Sequence, residues 1–437
     1  MHQEINFKSN FLQELSDRGF ISQITNTQEL DRLLTQEKIA AYIGFDCTAE
    51  SLHVGSLIQI MMLRLLQKHG HKPIALLGGG TTKIGDPSGK DEARKILTEE
   101  KIAQNLNGIK NTLAKFIKFD NAANRESAAI IVNNDEWLKD LNYIKFLRDV
   151  GRHFSVNRML TFDSVKIRLE RDQPLSFLEF NYMILQAYDF YKLNKEYGCR
   201  LQIGGSDQWG NIVNGVELTR RIAAAENDNS FDNLLNSRNK EADEKSNIFG
   251  LTSQLLTTSD GKKMGKTADG AVWLDSSMLS PYDYFQFFRN THDADVIKFI
   301  KLFTDLEVGE IDNLSKFKDQ EINKAKEILA YEATKICHGQ EAANHALNKA
   351  REIFVAKTNN SFEIKKIDFT DSIRLVEVIK ATGVVDSNNE SKRLIQGGAV
   401  KIDSTNISDI NHFYSQDSEF DIAIGKKKFF KIILRKI

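Results

Sequence analysis

Residues 39–80 read IAAYIGFDCTAESLHVGSLIQIMMLRLLQKHGHKPIALLGGG. Ile39 to Phe45 is a short apolar strand pattern. Leu57, Ile60, Met61, Arg64, Leu65 and Lys68 recur at the 3.6-residue period of a helix, with Gly70 as its stop. Pro73 to Leu77 is a buried-type strand running into Gly78-Gly79-Gly80. Further along, Ile130 to Asn133 and Arg200 to Ile203 repeat the short-strand pattern, the latter feeding Gly204-Gly205. Strands that alternate with helices predict an α/β fold on a parallel sheet. The ligand crevice of such a sheet lies beyond the carboxyl ends of its strands, where both glycine turns fall.

Length and composition narrow the function. A chain of 437 residues can bury two or three cores. Its 41% hydrophobic and 27% charged residues are ordinary for a globular protein. The formal net charge of -1 excludes a generally basic coat, so any RNA contact needs a local patch. No apolar stretch approaches the roughly 20 residues of a membrane span. Met1 to Asn10 lacks a signal-peptide core. Cys47, Cys199 and Cys337 are odd in number and far apart, which fits neither a disulfide framework nor a zinc knuckle. The expectation is a cytoplasmic protein that holds no structural metal.

The organisation expected is a sheet domain over residues 1–250, then a loop and helical region over 251–354. Asn323 to His338 and Glu341 to Phe354 supply the helix patterns there. Residues 355–371 are polar and without period, which predicts a linker. Residues 372–437 form an α+β module, with helices over Arg374 to Ala381 and Glu390 to Gln396. Strands are expected around Val400-Lys401-Ile402 and over Phe429 to Leu434.

Five runs carry chemistry. His53-Val54-Gly55-Ser56 stands at the N-terminus of the long helix, whose unpaired N–H groups and partial positive charge suit phosphate. Taken alone, it also reads as a serine cap beside a surface histidine. Ser259 to Thr267 (SDGKKMGKT) carries Lys263 and Lys266 around a glycine; such a loop can neutralise a departing pyrophosphate, or simply be solvated. Leu77 to Arg94 is neither a Walker loop, because Asp86 replaces the lysine, nor a dinucleotide fingerprint. It projects Asp86 and then the cations Lys90 and Arg94. On a helix, Tyr182, Gln186 and Asp189 share one polar face among apolar neighbours, so a polar ligand is a reasonable partner, as is solvent. Beyond the strand at Ile203, Asp207 and Gln208 suit ribose hydroxyls or an amino acid.

From about Phe11 onward, these runs together resemble the bacterial tyrosyl-tRNA synthetases, a family of class I aminoacyl-tRNA synthetases. His53-Val54-Gly55-Ser56 matches the first signature of that class, with Ser56 where the family has histidine. Lys263-Met264-Gly265-Lys266-Thr267 matches the second. The resemblance implies a Rossmann-like catalytic domain, a small all-helical anticodon-side domain and a ribosomal-protein-like RNA-binding module. It assigns Tyr42 and Asp189 to the phenolic hydroxyl of tyrosine, and Asp86, Tyr182 and Gln186 to its ammonium group. Gln208 lies near the reacting carboxyl and Asn134 in the same pocket. Gly44, Asp46, Thr48, Gly55, Gly205 and Asp207 fall on the ATP side with His53, Ser56, Lys263, Met264, Gly265, Lys266 and Thr267. Lys90 and Arg94 are expected to help Lys263 and Lys266 stabilise pyrophosphate. Lys392, Arg393 and Lys401 are the RNA-contact candidates.

The activity implied is ligation of tyrosine to tRNA(Tyr) in two steps through tyrosyl-adenylate. ATP is the co-substrate, with Mg2+ accompanying it and no protein-held metal site. A homodimer through Tyr143 to Phe154 is expected. Tryptophan activation and a non-enzymatic RNA-binding paralogue are the alternatives, together with a different nucleotidyltransferase, which would keep the phosphate runs yet have no need of the tyrosine pocket. The pair Tyr42 and Asp189 disfavours the first, and retention of both signatures disfavours the second.

Overall fold

The computed structural model describes residues 6–87, 97–119, 125–227, 247–259, 261, 264–267, 270–358, 363–403, 405–425 and 428–437. They form two compact units, Met1–Ala346 and Leu347–Ile437.

The first unit is built on six strands: β1 (Ile21–Ile24), β2 (Ala40–Asp46), β3 (Lys72–Gly78), β4 (Ile130–Asn133), β5 (Cys199–Gly205) and β6 (Phe249–Ser253). Their order is β1-β6-β5-β2-β3-β4. Every neighbouring pair is parallel except β1 on β6. The chain walks outward from β2 to β3 and β4, then returns to β5 on the other flank. The carboxyl ends of β2 and β5 therefore bound a crevice, as at other points where strand order reverses. Strands buried on both faces read as continuous apolar runs, which is why β2 and β3 were legible.

The helix Leu57–Lys68 begins and ends where its periodicity predicts. Eight of its twelve residues are buried, so it is a core helix rather than an amphipathic one. Its outer end is tied down by charge. Arg64 pairs with Asp305 and donates to the Phe116 carbonyl. Lys68 and His69 both reach Glu14 on the helix Asn10–Asp17. Buried Arg18 pairs with Glu14 and donates to the carbonyls of Lys301, Thr304 and Leu306. Burial pushes the Glu14 carboxyl up, but the hydrogen bonds from His69 and Lys68 and the Arg18 charge outweigh it and hold it at about 2.

After the sheet come two very short strands, β7 (Lys266–Thr267) and β8 (Gly270–Ala271), paired antiparallel. The helices Pro281–Arg289, Val296–Phe303 and Ile322–His338 then pack on one another. Aromatic side chains dominate that core, with Tyr284, Phe285, Phe288, Phe299 and Phe303 all buried.

The second unit, taken by itself, holds β9 (Glu363–Phe369), β10 (Ile373–Arg374), β11 (Val400–Ile402), β12 (Thr405–Asn406), β13 (Phe413–Tyr414), β14 (Ser418–Ile424) and β15 (Lys428–Lys436). Five of them make a sheet in the order β12-β11-β14-β15-β9. Helices Leu375–Ala381 and Asn388–Gln396 add Leu375, Val378, Ile379 and Ile395 to the core formed by Val400, Ile422 and Ile432. One expectation is corrected here: 355–371 is not a linker. The preceding helix runs to Thr358, and β9 pairs in parallel with β15. The strand escaped notice because its apolar residues do not alternate. Ile364 is exposed while Phe369 is buried, and Lys365 and Lys366 stand between, as suits an edge strand.

Candidate active site

A cavity of about 600 Å³ opens at the carboxyl ends of β2, β3 and β5. It is lined by Tyr42, Gly44, Asp46, Thr48, His53, Ser56, Asp86, Asn134, Tyr182, Gln186, Asp189, Gly205, Asp207 and Gln208, residues brought together from the whole length of the sheet domain. Each arrives for a local reason. Tyr42 points from β2 in register with Ile74 and Gln202. Tyr182, Gln186 and Asp189 share one face of the helix Tyr182–Tyr197, which stops at left-handed Gly198. Asp207 and Gln208 follow β5 in a short 3-10 turn.

The deep end is a web of side chains. Asp189 is 2% exposed; it accepts from Trp137 Nε1 at 2.8 Å and from Asn134 Nδ2 at 2.9 Å. Asn134 in turn accepts from the Gly80 N–H at 2.8 Å and donates to Thr81 Oγ1 at 3.0 Å. Burial pushes the Asp189 carboxyl up to about 7, even though the bonds from Asn134 and Trp137 favour its charged form. The Tyr42 hydroxyl is buried without a hydrogen-bond partner. Burial, reinforced by the Asp189 charge, raises that phenol well above its ordinary range. A buried polar group left unpaired is costly, so Tyr42 is waiting for a partner.

Towards the mouth, Asp46 accepts from Thr81 Oγ1 at 2.9 Å and from the Tyr182 hydroxyl at 3.2 Å. Gln208 donates to Asp86 at 2.9 Å and accepts from Gln186 at 3.3 Å and Asn211 at 3.1 Å. Asp86, Gln186 and Gln208 thus form one chain of polar contacts, with Gln186 Oε1 buried and unpaired.

The outer end is held by main chain. His53 Nδ1 accepts from the Gly55 N–H at 2.9 Å, which puts the proton of the neutral ring on Nε2 and makes that nitrogen a donor. Ser56 stands at the N-cap without a side-chain cap bond, so its hydroxyl is not used as a cap. His53 and Trp273 form an antiparallel bridge, with Val54 N on the Val272 carbonyl at 2.9 Å and Leu274 N on the Leu52 carbonyl at 3.0 Å. Val272 N donates to the Gly265 carbonyl at 3.1 Å. Gly265 has φ +113°, and a Cβ there would stand 2.9 Å from the Gly55 nitrogen. The two glycine-bearing runs, far apart in sequence, therefore pack directly on each other. Met264 is buried, with its N–H on the Leu256 carbonyl at 2.9 Å.

Lys90, Arg94 and Lys263 lie outside the described residues. Lys266 and Thr267 are placed as strand β7, and their side chains are not described. Lys392 and Arg393 lie on the helix Asn388–Gln396 of the second unit. Exposed Lys401 lies on the face of β11 opposite buried Val400. Sequence reasoning missed Trp137, Thr81, Gln59, Gln202 and Trp273. Trp137 follows Asn134 by one helical turn, a spacing that could have found it. Among the described residues, no cluster of three or more His, Cys, Asp or Glu could hold a metal ion. Among them too, no helix is long and apolar enough to cross a membrane.

Known proteins resemble this chain in sequence and in fold. A family model described as tRNA synthetases class I (W and Y) matches residues 34–355. A relative named tyrosine–tRNA ligase from Wolbachia pipientis subsp. Culex pipiens is 53% identical over 98% of this chain and 99% of its own length. Another of that name, from Zymomonas mobilis, is 53% identical over 96% of this chain and 97% of its own. Among solved structures, a C-terminally truncated mitochondrial tyrosyl-tRNA synthetase from Aspergillus nidulans superposes with a TM-score of 0.68 at 31% identity, covering 79% of this chain and 94% of that one.

Proposed function

We infer how the site works from one premise: the chain belongs to the class I tRNA synthetases for tryptophan and tyrosine, and within them to the bacterial-type tyrosine–tRNA ligases. Its activity is that of an ATP-dependent aminoacyl-tRNA ligase for tyrosine.

The assignment of residues is our proposal. The tyrosine side chain enters the deep end, where its hydroxyl donates to Asp189 and pairs with the Tyr42 hydroxyl. The single observation that carries this is the buried, unpartnered Tyr42 hydroxyl beside a buried carboxylate. Asp86, Tyr182 and Gln186 take the ammonium group, and Gln208 lies beside the carboxylate. One carboxylate oxygen attacks the α-phosphorus of ATP. The bond to the bridging oxygen breaks, and pyrophosphate leaves. The terminal ribose hydroxyl of tRNA then attacks the activated carbonyl and expels AMP. No side chain becomes a nucleophile, so the protein works by position and by charge. His53 donates through Nε2 to the phosphate as charge builds, and Ser56, Gly44, Asp46, Thr48, Gly205 and Asp207 hold the nucleotide. Lys263 and Lys266, with Lys90 and Arg94, neutralise the departing pyrophosphate. Mg2+ enters as part of the nucleotide substrate, since magnesium at such sites is held largely by phosphates and water.

Two further proposals concern partners. The helix Tyr143–Asp149 turns Phe146 inward but leaves Tyr143 58% and Ile144 71% exposed, an apolar face suited to a second copy of the chain. Ile144→Glu should shift the mass in light scattering from dimer to monomer. The second unit takes the tRNA through Lys392 and Arg393. The reaction belongs in the cytoplasm, where tRNA is charged.

The main reading is tested by pyrophosphate exchange into ATP with tyrosine, tryptophan, phenylalanine or no amino acid. Exchange with tyrosine alone is expected. Exchange with tryptophan, or none with tyrosine, overturns it.

A further inference from the structure

The helix Glu99–Leu113 has no assigned part in the reaction, yet one of its faces is stitched to the loop that carries His53. Lys101 pairs with Glu50, and Asn105 Nδ2 donates to the Cys47 carbonyl at 2.7 Å. Gly108 lies so close to the Glu50 carbonyl that a Cβ would stand 1.8 Å from that oxygen. The hydroxyls of Thr112 and Ser51 are 3.2 Å apart. These positions follow the spacing i, i+4, i+7 and i+11, a single stripe along the helix. Lys115 continues the stripe one step further, just past the helix end, and it reaches somewhere else. Its ammonium donates to the Leu274 carbonyl at 2.8 Å.

Leu274 is fully buried, and its own N–H is on the Leu52 carbonyl. It terminates the stretch that runs down from Gly265 through Val272 and Trp273. The Leu274 carbonyl also accepts the Cys337 thiol at 3.4 Å, a weak donor. Among the described residues, the ammonium is thus the one charged donor on the carbonyl that closes the ladder joining the two signatures.

We propose that Lys115 is a positioning residue for adenylate formation, holding the Gly265-bearing ribbon against His53 and Gly55 through the Leu274 carbonyl. This rests on the functional reading above. It separates the two halves of the reaction. Tyrosine binding uses the deep end and does not depend on the ribbon, whereas attack on the α-phosphorus does. Transfer from a preformed adenylate to tRNA, with pyrophosphate already gone, depends on it little.

The test uses the full chain with Lys115→Met, which keeps the aliphatic stem and removes the donor. Single-turnover adenylate formation is expected to slow about ten- to hundred-fold, the loss of one charge-assisted hydrogen bond. Tyrosine affinity by equilibrium dialysis should stay within about twofold, and Lys115→Arg should restore most of the rate, because both keep what they need: the pocket and the donor. On a Gly265→Ala background the same substitution should add less than its separate effect, because both act through one ribbon. Lys115→Leu, which also lacks a donor, replaces the methionine variant if that one unfolds, with the same split expected. An unchanged rate, an equal fall in tyrosine affinity, or fully additive losses overturn the proposal while leaving tyrosine activation standing. A wild-type chain that forms no adenylate brings down the functional reading, and this inference with it.

Discussion

The recess around Asp189 and the platform around His53 are two ends of one cavity, yet they are held by different means. At Asp189 the ties run between side chains: Trp137, Asn134 and Thr81 fix a buried carboxylate before any ligand arrives. At His53 the ties are main-chain bonds between residues 52–54 and 272–274, with glycine meeting glycine. The first arrangement is stiff and chemically particular, suited to telling one side chain from another. The second, under the proposed assignment, serves the ATP that every synthetase of this class shares. Under that assignment discrimination and activation are separable, and substitutions should separate them.

The largest effect is expected from Asp189→Asn. It keeps the size of the side chain but removes the charged acceptor, so preference for tyrosine over phenylalanine in pyrophosphate exchange should fall roughly a hundredfold. A preference that survives would mean the hydroxyl is read elsewhere. Next comes Gly265→Ala, which forces a side chain onto a left-handed backbone and against Gly55. Adenylate formation should slow by about tenfold or more, since such strain costs on the order of 1–3 kcal/mol, while tyrosine affinity holds. Equal losses in both would show that the two ends are not independent.

A smaller effect should follow pH. The Asp189 carboxyl, at about 7 in the fold, accepts a phenol more strongly when it is ionised. Tyrosine affinity measured by equilibrium dialysis should therefore weaken severalfold as pH falls through that value. Trp137→Phe removes a donor that favours the charged form, so the midpoint should move upward. Because burial raises this group above its ordinary 3.8, the fold itself loses stability from Asp189 as pH rises from about 4 through 7. A pH-independent affinity would contradict the role given to the carboxylate.

Least change in catalysis is expected from Glu14→Gln, remote from both ends. Glu14 sits at about 2 against an ordinary 4.5, so its contribution is present above 4.5 and is lost as pH falls towards 2. Urea unfolding at neutral pH should show a loss of roughly 2–3 kcal/mol that fades in acid, with adenylate formation within about twofold of wild type. A large catalytic loss would instead implicate the outer end of the helix Leu57–Lys68 in activation.

The sheet was legible because doubly buried strands announce themselves as apolar runs, and the helix Leu57–Lys68 because its period was regular. The polar face of Tyr182, Gln186 and Asp189 was legible because three polar groups in an apolar helix demand an explanation. What sequence alone concealed were relations between distant segments. Nothing local says that Gly265 lies on Gly55, or that Lys115 reaches Leu274. Trp137 was hidden by its type, since a tryptophan near a strand end reads as core until its indole N–H is seen on Asp189. The strand β9 was hidden by its lysines, because edge positions tolerate charge that central strands do not.

That same strand carries a practical warning. Anyone severing the chain after residue 371 to obtain the C-terminal module would strip β9 from β15 and leave a row of main-chain donors and acceptors bare. Such a naked margin invites other chains to zip onto it, and the fragment would be prone to clump. The scissors belong upstream of residue 363.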